Sequence, residues 1–175
     1  MKRIGLLSDT HGYLDSGIKK HFANCDEVWH AGDIGTEEVS DKLSAWKPYR
    51  AVYGNIDGHK LRSMHPENQI FEVEGVKVLM THIGGYPGRY VPRVQGLIET
   101  EKPKLYICGH SHILKVMFDK KHQVLHMNPG AAGVNGFHQV KTMLRFVLDS
   151  GEIKGLEVIE LGKRTDFKPL KESLI

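Results

Sequence analysis

Eleven histidines in 175 residues is a high count, and several stand in short clusters with carboxylates, an asparagine and glycines. The clusters are Asp9-Thr10-His11, Gly32-Asp33, Gly54-Asn55-Ile56-Asp57, Thr81-His82 and Gly109-His110-Ser111-His112. Imidazole nitrogen and carboxylate oxygen without thiolate suit manganese, iron, nickel, cobalt or zinc rather than a soft-metal site. In an extended segment His110 and His112 project to one side roughly 7 Å apart, given about 3.3 Å per residue. Such a pair binds a metal only where other ligands converge on it, so the question passes to the elements that carry the five clusters.

Each cluster follows an apolar run. Ile4–Leu7, Glu27–Ala31 and Arg50–Tyr53 read as strands. Helices intervene, the first capped by Asp15 and carrying Ile18 and Phe22, the second capped by Thr36 with Glu37 and Glu38 in its first turn. This βαβαβ beginning implies parallel strands with functional loops at their carboxyl ends. Gln69–Val73 and Val76–Thr81 flank Glu74-Gly75 as a hairpin. A helix over about 91–100 then leads to a strand at Leu105–Cys108. Leu114–Phe118, Gln123–Met127, Thr142–Leu148 and Leu156–Leu161 read as successive antiparallel strands. The pattern predicts an α/β chain of two mixed sheets packed face to face with helices outside. It forms one domain over 1–175, with a peripheral C-terminal segment from about 163. Five consecutive strand ends then deliver metal-capable side chains, a placement that chance would scatter over helices as well.

Composition narrows the function classes. Hydrophobic content of 40% and charged content of 26% are ordinary for a globular domain. A net charge of +3 points to neither nucleic acid nor a membrane surface. Cys25 and Cys108 cannot make a disulfide framework and read as reduced, buried residues. No apolar run approaches the roughly 20 residues of a membrane span, and the N-terminal run is too short for a signal sequence. The expectation is a cytoplasmic protein without membrane partners.

Taken in order, the clusters resemble the calcineurin-like metallophosphoesterase superfamily, whose pattern runs Asp-x-His, Gly-Asp, Gly-Asn-x-Asp/Glu, His and Gly-His-x-His. The chain's size and its Asn128-Pro129-Gly130 turn are similar to the compact YfcE-type phosphodiesterases. The resemblance implies a four-layer αββα sandwich and two divalent metal ions, manganese foremost, with iron, nickel, cobalt or zinc as alternatives. Carried over by motif, Asp9, His11 and His112 hold one metal, Asn55, His82 and His110 hold the other, and Asp33 bridges them. Asp33, Asn55, His82 and His110 are also the residues expected to carry catalysis. The implied reaction is hydrolysis of a small organic phosphodiester by in-line attack of a hydroxide shared by both metals.

The sequence departs from that pattern at one place. Many superfamily members carry a proton-donating histidine after the motif asparagine, where this chain has Ile56. Isoleucine cannot protonate a leaving group. Asp57 is expected to orient the site from behind, as is His30, while His59 is a rival source of the proton. The glycine-rich segment from Gly84 to Arg89 reads as a mobile loop offering Tyr86 and Arg89 to substrate. Arg93 and Lys115 are weaker phosphate contacts, and His126 is structural. A phosphomonoesterase with the same metal core is the near alternative. A repair-type nuclease is disfavoured by Ile56, size and weak charge. A non-catalytic scaffold, like the retromer subunit of this fold, is disfavoured by the seven intact ligand positions. Self-association is left open.

Overall fold

In the computed structural model, which describes residues 1–171, the apolar runs near the N-terminus become the parallel strands β1 (Lys2–Leu7), β2 (Glu27–His30) and β3 (Tyr49–Ala51). Helices α1 (Gly17–Phe22) and α2 (Glu37–Trp46) cross between them. The strands carry apolar residues at consecutive positions because both of their faces are covered. Ile4 and Leu6 enter the core between two sheets, whereas Leu7 turns outward to a second core with Ile18, Phe22, Val39 and Leu43.

A short helix α3 (His59–Met64) precedes the hairpin β4 (Asn68–Val73) and β5 (Val76–Thr81). Next come the two-residue strands β6 (Gly85–Tyr86) and β7 (Arg89–Tyr90), then α4 (Pro92–Glu101) and β8 (Leu105–Ile107). The chain ends with β9 (Leu114–Asp119), β10 (Val124–Pro129), β11 (Val140–Asp149) and β12 (Glu152–Lys163). One sheet has the order β12-β11-β1-β2-β3 and the other β4-β5-β8-β10-β9. Ile4, Leu6, Trp29 and Phe146 of the first meet Val78, Met80, Ile107 and Met127 of the second. Each such side chain contributes about 1.5–3 kcal/mol on burial. Val94 and Ile98 of α4 cover the outer face of the second sheet over Leu79 and Tyr106. The expected four-layer αββα sandwich is the observed fold.

Two local expectations are corrected and one helix is added. The last four strands are not one meander: β9 and β10 stay in the second sheet, while β11 crosses to pair antiparallel with β1 and brings β12 with it. The segment from Gly84 to Arg89 is a small ribbon, β6 against β7, rather than a loose loop. It is held down by Tyr106 and Cys108, whose side chains both donate to the Gly85 carbonyl, at 3.2 and 3.4 Å. Helix α3 was not anticipated, and with Leu61 as its one buried residue it carries almost no apolar period.

After β12 the chain folds back on the loop before α1. Ser16 N–H donates to Lys168 O at 2.7 Å and Leu170 N–H to Leu14 O at 2.8 Å. Lys141, fully buried, donates to Asp15 Oδ2 and to Asp166 O, both at 2.6 Å. Residues 172–175, the end of the expected peripheral segment, lie outside the described residues. Among the described residues no helix is long and apolar enough to cross a membrane.

Candidate metal centre

Five strand ends from both sheets meet at one edge of the sandwich: those of β1, β2, β3, β5 and β8. The backbone there is unusual. Of nine non-glycine residues with positive φ among the described residues, five are Asp9 (55°), His11 (47°), Asp33 (54°), His110 (70°) and His112 (58°). Left-handed backbone costs an L-residue of order 1–3 kcal/mol and persists only where surroundings enforce it. The conformation turns each side chain off its strand direction and inward. His110 and His112 are therefore not an extended pair sharing one side, as alternation implies, and their rings enter different groups. Two glycines are required by close approach: a Cβ at Gly54 would strike the Asp33 carboxylate, and one at Gly109 the Ser8 hydroxyl.

The ligand atoms fall into two groups, Asp9, His11 and His112 in one and Asp33, His82 and His110 in the other, each within 4.8 Å. Asp9 Oδ1 lies 3.2 Å from His112 Nε2 and 3.9 Å from His11 Nε2. Asp33 faces both ways, with Oδ1 3.3 Å from His82 Nε2 and Oδ2 3.5 Å from His11 Nε2. Asn55 joins the second group through its Oδ1, 2.9 Å from His110 Nδ1. All seven positions expected from the sequence are thus brought together.

The polar accounting of this cluster does not close on itself. Asp9 Oδ1, His11 Nε2 and His82 Nε2 are buried with no hydrogen-bond partner. Buried polar atoms are almost always partnered, and three orphans aimed at one another are what a bound cation would satisfy. The donor set of nitrogen and oxygen fits a divalent metal of the manganese-to-zinc group.

The supports lie one layer behind. Asp57 Oδ2 accepts from Gly54 N–H (2.8 Å) and Ile34 N–H (3.1 Å), and Oδ1 from Gly35 N–H (2.8 Å). One buried carboxylate thereby ties the loop bearing Asp33 to the loop bearing Asn55. With its oxygens so engaged it is an orienting group rather than a proton donor. His30 forms the other tie. Gly32 N–H donates to its Nδ1 at 3.1 Å, which leaves Nε2–H to donate to Thr10 Oγ1 at 2.9 Å. Thr10 Oγ1 in turn donates to Ile34 O at 2.9 Å. His82 is fixed by Nδ1 donating to Ala31 O at 2.7 Å, so Nε2 is the atom presented to the site.

Burial and charge set the protonation states. Burial pushes the fully enclosed His30 down to about 3, keeping it neutral. Burial acts the same way on His82, but the Asp33 and Asp9 carboxylates outweigh it and leave its pKa raised. Asp33 is the counterpart: burial opposes its charge, the His82 contact wins, and its pKa is lowered. His110 is lowered by burial and by the nearby His82.

Other expectations fare unevenly. Tyr86 lines a cavity of about 250 Å³ beside His110, whereas Arg89, exposed on β7, is not among its lining residues. Lys115 joins that cavity with its ammonium 3.7 Å from the Tyr86 ring centre. Arg93 is occupied by Asn68 Oδ1 (2.6 Å) and Ile83 O (3.2 Å). Ile56 is half exposed where a donor histidine would stand, and His59 contacts Ser63 Oγ at 3.4 Å on α3. His126 is buried and stacked on Tyr106 at 5.0 Å, in keeping with a structural role.

The sequence reading missed four supporting residues. Ser8 donates to Asp9 Oδ2 at 2.6 Å. Arg62 donates to Asp57 O (2.6 Å) and Asn55 O (3.3 Å). Asn128 donates to Gly109 O (2.9 Å) and Ser111 Oγ (3.1 Å), holding the turn that bears both histidines. The His138 ring packs edge-on against His112 at 5.3 Å. Asn128 lay in a motif already noticed; the other three carried no spacing signal.

Comparison with known proteins agrees with this geometry. The model of the calcineurin-like phosphoesterase superfamily domain matches residues 1–151, a span that contains all five clusters. A probable metallophosphoesterase of Mycoplasma pneumoniae is 31% identical over 166 residues, covering 89% of this chain and 96% of that protein. Among solved structures, an archaeal phosphodiesterase superposes with a TM-score of 0.72 at 22% identity, covering 90% of this chain and 99% of that one. Vps29 of Chaetomium thermophilum gives 0.71 at 15% identity, covering 93% and 100%. The two superpositions speak for the fold. The family match and the Mycoplasma relative speak for more, and the chain belongs to the calcineurin-like phosphoesterase superfamily.

Proposed function

We propose that this protein is a dinuclear metal-dependent phosphodiesterase acting on a small organic phosphate ester. The observation that carries the reading is the unpartnered trio Asp9 Oδ1, His11 Nε2 and His82 Nε2, drawn from two candidate ligand groups that Asp33 spans. Asp9, His11 and His112 would hold one divalent ion and Asn55, His82 and His110 the other, with one Asp33 oxygen toward each. Divalent ions so held supply Lewis acidity toward a phosphoryl oxygen and generate a nucleophile from water at neutral pH.

The chain's own residues set the limits of that chemistry. Ile56 brings no proton to a departing alcohol, which favours esters whose alcohols leave without one. Two cavities border the second group, one lined by His110 and the other, of about 180 Å³, by Asn55 and His82, with Ile83 in the wall of both. A diester has two organic arms and a monoester one, so paired cavities favour the diester.

The test uses protein stripped by a chelator and reloaded with manganese, iron, nickel, cobalt or zinc. It is assayed on bis(p-nitrophenyl) phosphate and p-nitrophenyl phosphate. The expected result is two bound equivalents of metal and turnover of the diester, foremost with manganese. A tenfold or larger preference for the monoester overturns the diesterase reading. No turnover with any metal overturns the enzyme reading and leaves the scaffold.

A further inference from the structure

The cavity beside His110 has walls of unlike character. Ile83, Ile113 and the Tyr86 ring supply apolar surface, and Cys108, His126 and Lys115 are among the other lining residues. Tyr86 is held rigidly, because its ribbon is pinned through Gly85 by Tyr106 and Cys108. The wall is thus formed before any ligand arrives.

Two groups in the cavity lack a hydrogen-bond or carboxylate partner among the described residues. His126 is 1% exposed, yet its Nδ1 has no hydrogen bond. Lys115 lies over the Tyr86 ring and pairs with no carboxylate among the described residues. Burial, and then Lys115, push the His126 pKa down to about 4, so it is a neutral polar edge rather than a second cation. A mostly apolar space with one unpaired ammonium and one unpartnered ring nitrogen suits a planar organic group attached to an anion. Size narrows the choice. A dry apolar cavity of about 150 Å³ accepts benzene, so roughly 250 Å³ takes one aryl ring or a bicyclic heterocycle.

We infer that this cavity receives an aryl or heterocyclic arm of the phosphodiester, packed between Tyr86, Ile83 and Ile113, with Lys115 facing the ester's negative charge. The inference rests on the phosphodiesterase reading for its substrate and adds the class of alcohol that the ester carries. Lys115 attracts any phosphate ester, whereas the apolar wall selects the ring.

The experiment measures binding, not turnover. Diphenyl phosphate and diethyl phosphate are titrated calorimetrically into the manganese-loaded protein, and then into Ile113→Asn and Tyr86→Ala. Ile113 is 63% exposed, so the asparagine does not compromise folding. Diphenyl phosphate is expected to bind at least tenfold more tightly to the unaltered protein. Each substitution is expected to cut that preference below threefold while leaving diethyl phosphate within threefold of its original affinity. Lys115→Gln should weaken both ligands to the same degree. Equal affinities in the unaltered protein, or a preference that survives both wall substitutions, overturns the inference. An inactive protein that still prefers diphenyl phosphate would retain the pocket and lose only the proposed reaction, so the two readings fail separately.

Discussion

At one end of the loop that follows β1 the Asp9 carboxylate is ringed by histidines, and at the other end the Asp15 carboxylate holds Lys141 Nζ at 2.6 Å. Both aspartates are buried. Asp15 has every need met from within the chain: Lys141, the Gly17 amide and the Tyr13 hydroxyl. Asp9 has one oxygen met by Ser8 and the His110 amide, and the other met by nothing. Burying a carboxylate without compensation costs several kcal/mol. A chain that supplies Lys141 to Asp15, six residues along from Asp9, supplies no lysine here, and the open oxygen points to where three imidazoles converge. The contrast separates a charge buried for structure from one kept available for an external cation.

That contrast can be broken by substitution. The largest effect is expected at Asp33, which faces both ligand groups: Asp33→Ala should lower metal-dependent turnover about a thousandfold or more, since metal assistance supplies several kcal/mol. Bound metal should fall below two equivalents in elemental analysis. If stability in chelator fell instead and metal stayed bound, Asp33 would belong with Asp15. The converse substitution, Lys141→Ala, strands Asp15 and should cost about 3–5 kcal/mol in urea unfolding, with turnover per folded molecule unchanged.

Smaller effects sharpen the distinction. Asp57→Ala frees the amides of Gly54, Ile34 and Gly35 and should weaken metal affinity about 10–100-fold, read by competition with a chelating dye. A loss confined to stability would demote Asp57 to ordinary packing. The gentlest test is acid titration of His30. Its folded pKa is about 3, against roughly 6.5 unfolded, so the unfolded chain binds the extra proton between those values. Stability is therefore full above about pH 6.5 and declines as pH falls toward 3, by about 1.4 kcal/mol per unit. His30→Gln should lack that component, and identical slopes would show that His30 is not held neutral by burial.

How legible was this in the sequence? The seven clustered positions were legible as a group because each stands where an apolar run stops, and strand ends in parallel sheets are where side chains converge. The means of convergence was not. Alternation along a strand places His110 and His112 on one side, and only their left-handed backbone sends them to separate groups. The route of β11 back to β1 was equally hidden, since a long antiparallel strand can pair at either sheet's edge with the same hydrophobic pattern. Elements of two residues, such as β6 and β7, have no period to read, and that is why Tyr86 was anticipated as a mobile contact rather than as a fixed wall. Arg62 escaped because α3, which delivers it, left no apolar trace.

The scatter of the ligands along the chain also sets the order in which the protein can assemble. The His110 amide reaches Asp9 across 101 residues, and His82 and Asp33 come from different sheets. Closing loops of that length is slow compared with forming local contacts. Neither ligand group is complete until β8 has docked beside β5 and the two sheets have met. Cation uptake therefore marks the end of folding rather than its beginning: in a stopped-flow experiment the metal signal should lag the far-ultraviolet dichroism. A cation arriving early would find each group of candidate ligands still incomplete, so metal is expected to enter a finished structure.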